Sequence, residues 1–453
     1  MPEIKVDARE LLRSALESGI PTGEFNALLD TLDSAELLHA MYRLDPAEQR
    51  QLLSSVSKER AANLVEDLPD THAAELMEEM TARESATILE ELASDHRADI
   101  LSELDSEDAE AILEHFDDED VQEIRDLIAY PPDEAGGLMM TEFATYPKSA
   151  TVREVVDDLT GHEGDYEFLT VHYVYVVTKR QILVGVIRLR DLVFADPDAK
   201  IGTIAREAKT VSPDTDLLEL DQFFADYDIA AVPVVNERKQ LLGIVRRRSL
   251  LEALAERAES DSLKAAGIIG GDELRSMPVW VRAKRRLSWL SVNIGLNIMA
   301  ASVIAVYEDT LTAVIALAVF LPIVSDMSGC SGNQAVAVSM RELTLGAAEP
   351  KDVARVWGKE VVVGLINGLA LGLLLGLAAW AWKGNPVLGA VVGAALALNT
   401  VLAVSIGGTV PLILKRLNID PAVASGPVLT TVTDMCGFFL VLSLASLVLP
   451  RLM

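Results

Sequence analysis

The chain has 453 residues, with 69 acids against 39 bases and a formal charge of −30. That balance argues against nucleic acid as a partner, because neutralising phosphates takes clustered Lys and Arg. Residues 287–453 hold nine acids and eight bases, so nearly the whole excess lies in residues 1–286 and an acidic aqueous part is expected ahead of an apolar one. Only Cys330 and Cys436 occur, both in apolar stretches, which gives no disulfide framework and no Cys/His metal spacing. The start, MPEIKVDARE, lacks the basic-then-apolar order of a secretory signal, so the aqueous part is expected to stay on the cytoplasmic side.

Residues 45–128 repeat every 12 residues, seven times, with units starting at Asp45, Ser57, Pro69, Thr81, Ala93, Asp105 and Asp117. The eighth position is always Leu or Ile: Leu52, Leu64, Leu76, Ile88, Ile100, Ile112 and Ile124. The twelfth is always apolar: Val56, Leu68, Met80, Leu92, Leu104, Phe116 and Ile128. Each unit opens on a cap-like or turn residue followed by acids, as a helix start does. A short helix plus turn cannot bury its apolar face alone, so the units are expected to stack into a helical solenoid. Its outer acids read equally as a solvated surface and as cation ligands.

Residues 174–193 (VYVVTKRQILVGVIRLRDLV) align with 232–251 (VPVVNERKQLLGIVRRRSLL) at an offset of 58, with nine of 20 positions identical, Gly185 and Gly243 among them. β-Branched runs flank the polar turns Lys179-Arg180-Gln181 and Glu237-Arg238-Lys239, so each unit reads as strand, turn, strand, helix start. Two such units make a pseudo-symmetric module with a cleft between them. Residues 250–276 then read as one helix carrying Glu252, Glu256, Glu259 and Asp261 at near-helical spacing. A charged linker explains these acids as well as cation binding does.

Five stretches, 287–307, 310–340, 361–382, 384–414 and 421–450, are apolar over the about 20 residues a bilayer-spanning helix needs. Lys and Arg in the connecting segments set the orientation. Arg282, Lys284, Arg285, Arg286, Arg341, Lys351, Arg355, Lys359, Lys415 and Arg416 fall on the side of the N-terminus, against Lys383 and Arg451 on the other. The N-terminus is therefore expected in the cytoplasm and the C-terminus outside. Two acids lie inside spans. An ionisable group at membrane depth is costly and usually faces a bundle interior, a partner or a water-filled path. Asp434 shares a helical stripe with Pro427, Thr430 and Thr431, and Asp326 sits in the Ser- and Gly-rich segment 322–334, which permits close helix approach. No Lys or Arg lies mid-span to pair with either acid, which favours a cation. Hydrogen bonding to a neighbouring helix is the plainer alternative for both.

This order of parts resembles the MgtE family of magnesium channels and transporters over nearly the whole chain. The most specific segment is DPAVASGP at 420–427 followed by Thr430-Thr431-Val432-Thr433-Asp434, which is similar to the family's fifth-helix motif. Pro131, Asp133, Ala135, Gly136, Leu138 and Met139 resemble its junction ahead of the CBS pair. Segment 322–334 resembles the second-helix segment less closely: Ser328-Gly329-Cys330 stands where Gly-Gly-Asn is usual, while Gly332 and Gln334 remain. The resemblance implies a multidomain membrane protein: an acidic α-helical solenoid N domain (1–130), an α/β tandem CBS module (131–257), a connecting plug helix (258–286) and a five-helix transmembrane domain (287–453). It further implies a homodimer in the plasma or inner membrane that takes up Mg²⁺ passively through a channel and is not an enzyme. Asp434 is then the pore acid, with Asp326 a second candidate, and Pro427, Thr430 and Thr431 line the pore. Two facing Asp434 carboxylates on a dimer axis suit Mg²⁺, which dehydrates reluctantly and keeps several waters. Glu252, Glu256, Glu259 and Asp261 become the acids through which cytosolic Mg²⁺ closes the pore.

One departure stands out. The family's second CBS unit usually follows Gly-Ile-Val with an Asp pair that contacts the sensing ions. Here Gly243-Ile244-Val245 runs into Arg246-Arg247-Arg248-Ser249, with Arg248 and Ser249 at the acidic positions. A guanidinium there, facing the N domain, would pair directly with its acids. The change also removes an acid often used for nucleotide ribose and leaves Asp191 of the first unit alone, which argues against nucleotide binding. An ion-coupled divalent cation exchanger is the alternative function. An ATP-driven pump lacks the Gly-rich loop ending in Gly-Lys-Ser/Thr. Oxygen ligands suit several hard ions, so selectivity among Mg²⁺, Mn²⁺, Co²⁺ and Ca²⁺ stays open.

Overall fold

A computed structural model describes residues 7–161, 172–268, 270–271, 273, 277 and 279–452. The chain divides into two compact units, Met1–Glu256 and Arg257–Met453.

The first unit opens with the helices α1 (Ala8–Ser18), α2 (Thr22–Leu29), α3 (Ser34–Met41), α4 (Pro46–Ser55), α5 (Lys58–Glu66), α6 (Asp70–Glu78), α7 (Ala82–Leu89), α8 (Ser94–Glu103), α9 (Ser106–Leu113) and α10 (Asp118–Ile128). The 12-residue repeat marks the helix starts residue by residue. Asp45, Ser57, Pro69, Thr81, Ala93, Asp105 and Asp117 are the N-caps of α4 to α10. Asp45 and Thr81 form capping boxes with Glu48 and Glu84, satisfying backbone N–H groups that a helix start leaves open. All seven eighth-position residues are buried, as are Val56, Leu68, Leu92 and Leu104. Ile128, at the end of the last unit, is 37% exposed. Helices two apart pack together, α5 on α7, α6 on α8, α7 on α9 and α8 on α10, so each short helix gains a covered face from its neighbours in the stack.

The paired module follows with β1 (Thr145–Pro147), α11 (Val152–Gly161), β2 (Tyr173–Val177), β3 (Leu183–Arg188), α12 (Leu189–Val193), α13 (Ile201–Ile204), α14 (Leu217–Asp226), β4 (Ala231–Val235), β5 (Leu241–Arg246) and α15 (Arg247–Ala265). β2–β3 and β4–β5 are antiparallel hairpins, and β1 adds to β2 in parallel. The offset of 58 extends to detail. The register shifts between Val176 and Val177 and again between Val234 and Val235. The turns carry Gln181 at φ 58° and Lys239 at φ 59°. The units also exchange equivalent bonds: Leu183 N–H donates to the Lys239 carbonyl (2.9 Å) and Leu241 N–H to the Gln181 carbonyl (3.0 Å). A Cβ on Gly185 would lie 2.5 Å from the Arg206 carbonyl oxygen, and one on Gly243 2.7 Å from Met139 Cγ, which accounts for glycine at both equivalent positions.

The single helix expected over 250–276 is corrected. α15 ends at Ala265, and Gly267, Gly270 and Gly271 adopt φ of 87°, 106° and 76°, which stop a helix. Segment 258–286 is therefore not one connecting helix. Its end, with Arg282, Lys284, Arg285 and Arg286, belongs to α16 (Val279–Val306), while residues 269, 272, 274–276 and 278 lie outside the described residues.

The second unit continues with α17 (Glu308–Ala313), α18 (Leu317–Thr344), α19 (Val353–Lys383), α20 (Pro386–Arg416), α21 (Pro421–Leu447) and α22 (Leu449–Leu452). The second apolar stretch, 310–340, is also corrected: its first residues belong to α17, which Glu308 and Asp309 open, and the chain breaks at Val314 (φ −131°, ψ 71°) before α18. Among the described residues, four helical stretches, Val279–Val306, Pro350–Lys383, Pro386–Arg416 and Pro421–Leu447, are long and apolar enough to cross a membrane. α18 has 28 residues, the length to cross, but its polar groups lower its apolarity. Ser325, Ser328, Ser331 and Ser339 are buried against the bundle, where neighbouring helices shield them. α20 is the central helix, packed by α18, α19 and α21.

Candidate functional site

Two acidic places stand out, one in each unit. In the second unit, α18, α20 and α21 meet around Asp434. α21 starts at Pro421 because Asp420 caps it, its carboxylate accepting from Ala422 N–H at 2.8 Å. Pro427 lies inside the helix, and Thr430 is exposed with its hydroxyl donating to the Gly426 carbonyl (2.9 Å). Thr431 is buried, so the stripe expected from spacing is divided between an open side and a packed side. Asp434 is half-buried and accepts a hydrogen bond from Ser325 Oγ of α18. Asp326, next along α18, is exposed, and its charge acts on Asp434. Asn399 of α20 is 0% exposed, and its amide donates to Ser328 Oγ (2.5 Å) and to the Thr433 carbonyl (3.0 Å). Sequence reasoning gave no role to Ser325, Ser328, Asn399 or Thr433. The available signal was Asn399, the one side-chain amide within α20.

In the first unit, Glu256 on α15 comes within electrostatic reach of Asp70 on α6 and Asp99 on α8. Asp95 and Glu103 act on both. Burial first, then the surrounding acids, pushes Asp70 up to about 7, with His96 opposing. Burial, followed by Asp70, Asp95, Glu256 and Glu103, pushes Asp99 up to about 8. Asp95 is 4% exposed and is met by a guanidinium: Arg246 donates to its Oδ2 at 3.2 Å and to Ser249 Oγ at 3.3 Å. The direct cation–acid contact expected at Arg248 is thus made by Arg246. Arg248 is exposed and pairs with Glu252 one turn along α15 (2.6 Å), although Glu66 and Asp67 of the solenoid also act on it. The start of α8, beside Asp95, is held by Glu142, whose carboxylate accepts from Ser94 N–H (2.9 Å) and Ser94 Oγ (2.8 Å).

Two of the remaining sequence candidates belong to the second unit. Glu259 is exposed. Asp261 lies in the second unit near Asp420, where Lys264 Nζ is 3.5 Å from Asp420 Oδ2, and burial first raises the Asp261 carboxyl above its ordinary range. Glu78, Asp105 and Asp108 bring carboxylate oxygens within 4.8 Å of one another on the exposed solenoid surface. Asp191, the acid that the first unit keeps at the position where the second has Ser249, is engaged by Arg206 at 3.1 Å.

Apolar helices packed around a half-buried carboxylate, together with an acidic solenoid docked on paired α/β units, define a membrane transport protein with a large aqueous part. The chain belongs to the MgtE family. Family models match the MgtE intracellular N domain over residues 32–133, the CBS domain over 135–198 and 201–256, and the MgtE divalent cation transporter over 321–444. The magnesium transporter MgtE of Thermus thermophilus is 36% identical over 332 residues, covering 72% of each chain. That of Bacillus subtilis is 32% identical over 322 residues, covering 71% of this chain and 70% of its own. The crystal structure of the soluble part of a magnesium transporter matches 55% of this chain and 98% of its own, at 30% identity and a TM-score of 0.50.

Proposed function

We propose that the protein transports Mg²⁺ passively through a pore whose ion site is Asp434, and that cytosolic Mg²⁺ closes it through the solenoid and the paired CBS units. The observation that carries this reading is the half-buried Asp434 carboxylate inside an apolar bundle, bonded to Ser325 and met by no basic side chain among the described residues. A buried charge without a cationic partner is retained where it serves an ion path. In a two-fold dimer, two such carboxylates flank one axis and hold a hydrated dication without stripping its waters. Mg²⁺ is the cargo; no reaction is catalysed. The distribution of Lys and Arg supports a cell-membrane protein with its N-terminus in the cytoplasm and its C-terminus outside.

Closure needs a ligand that binds one state better than the other. The acids Asp70, Asp99, Glu103 and Glu256 supply that difference, because a dication among them offsets the repulsion between their charges. The engagement of Asp191 by Arg206 supports a module that does not depend on nucleotide. The test is Mg²⁺ uptake by the full chain in liposomes, with and without a membrane potential and with no counter-ion gradient. Flux that follows the Mg²⁺ gradient and the potential is expected. Absence of flux until a counter-ion gradient is imposed would establish exchange instead. Removing residues 1–130 should leave conduction intact while flux at millimolar cytosolic Mg²⁺ rises to its Mg²⁺-free level. A truncated protein that inserts but still closes would overturn the regulatory assignment.

A further inference from the structure

The turn of α21 that carries Asp434 is gripped from two sides. On one side, Ser325 of α18 bonds to the carboxylate itself. On the other, the Asn399 amide lies over the backbone, donating to the Thr433 carbonyl at 3.0 Å. That carbonyl and Gly437 bracket one helical turn, with Asp434 between them. Gly437 is what allows the approach: a Cβ there would lie 2.8 Å from Asn399 Nδ2 and 3.7 Å from Ser325 Cα. The amide also reaches Ser328 Oγ at 2.5 Å, so one side chain ties α20 to both α18 and α21.

Stability alone does not account for this amide. Asn399 is 0% exposed, and its Oδ1 is buried without a hydrogen-bond partner among the described residues. An unsatisfied buried acceptor is a cost that an apolar residue of similar shape would remove. Polar groups kept at such cost serve geometry in the best-attested cases.

We infer that Asn399 and Ser325 are positioning residues for the ion site: Asn399 fixes the height and rotation of the α21 turn, and Ser325 fixes the carboxylate rotamer. Neither touches the ion. With Ser325 bonded to Oδ1, Oδ2 is the oxygen left to face the hydrated cation. This rests on the reading of Asp434 as the ion site.

The experiment uses the full chain in liposomes, measuring Mg²⁺ flux against Mg²⁺ concentration, with thermal unfolding of the same preparations in detergent. Asn399→Leu should raise the half-saturating Mg²⁺ concentration by about threefold or more, in line with interhelical hydrogen bonds in membranes, while the unfolding temperature stays or rises. Ser325→Ala should shift half-saturation in the same direction, which keeps the inference testable if Asn399→Leu does not insert. Asp434→Asn is measured alongside. If it loses flux while both other variants keep wild-type half-saturation, the positioning role is wrong and the pore reading stands. If Asp434→Asn conducts as wild type, both fail. Flux losses that merely track a lowered unfolding temperature would also overturn the inference.

Discussion

Asp434→Asn should reduce Mg²⁺ flux by at least about tenfold while the protein still inserts and assembles. Unit charges about 4 Å apart attract by about 4 kcal/mol at an effective dielectric near 20, and about 1.4 kcal/mol is tenfold in occupancy. A third of that attraction is enough for the expected loss, and the dication doubles the charge. The substitution keeps the size of the side chain and a hydrogen-bonding partner for Ser325, so the helix contacts around residues 325, 399 and 433 should survive. Unfolding temperature and oligomeric state should accordingly match the wild type. Undiminished flux through a correctly inserted Asp434→Asn protein would remove the ion site from this position.

The parts of the molecule that were legible are those in which one local rule repeats. The solenoid could be read because each 12-residue unit begins at its helix's N-cap position and carries its own buried Leu or Ile, so one unit of sequence states the whole pattern. The paired units could be read because nine of 20 positions recur at an offset of 58, and the structure repeats the positive φ of the turn at Gln181 and Lys239 although those residues differ. The break at Val314 was not legible: it falls within an uninterrupted apolar run, with no Gly or Pro to mark it. The end of α15 was legible in Gly267 and Gly270–Gly271, but continuity of charge along the segment argued the other way. The three consecutive arginines show a different limit. Arg246 is the last residue of β5 and Arg247 the first of α15, and that boundary decides which guanidinium reaches Asp95. Asn399 could be seen as unusual in α20. That it meets Thr433 and Ser328 depends on the register of three helices at once, which no single segment encodes.

In the absence of Mg²⁺, the solenoid with its paired CBS units should be most stable at low pH and lose stability as the pH rises toward 8. Asp70 sits at about 7 and Asp99 at about 8, against about 3.9 for an aspartate in an unfolded chain. A carboxyl whose folded value is raised holds its proton in the folded state over a range where the unfolded chain has lost it. Stability then falls with rising pH across that range, from about pH 4 until the folded groups ionise near 7 to 8. Above that range, Asp70, Asp99, Glu103 and Glu256 all carry charge at close quarters. Arg246 offsets part of it through Asp95 and is the fixed share of the contact. The variable share must come from protons or from a dication. Metal ligands bind deprotonated, so the stabilisation conferred by Mg²⁺ should be small at pH 6 and large at pH 8.5. Thermal unfolding of the full chain, with chelator and with Mg²⁺ at both pH values, measures this directly. Asp70→Asn with Asp99→Asn should flatten the pH dependence in chelator and shrink the Mg²⁺ effect at pH 8.5, because the uncharged amides remove the repulsion that the ion relieves. An Mg²⁺ effect of equal size at pH 6 and 8.5 in the unaltered protein would show that the ion acts elsewhere. Asp261 and Asp420 in the other unit would then be the next acids to examine.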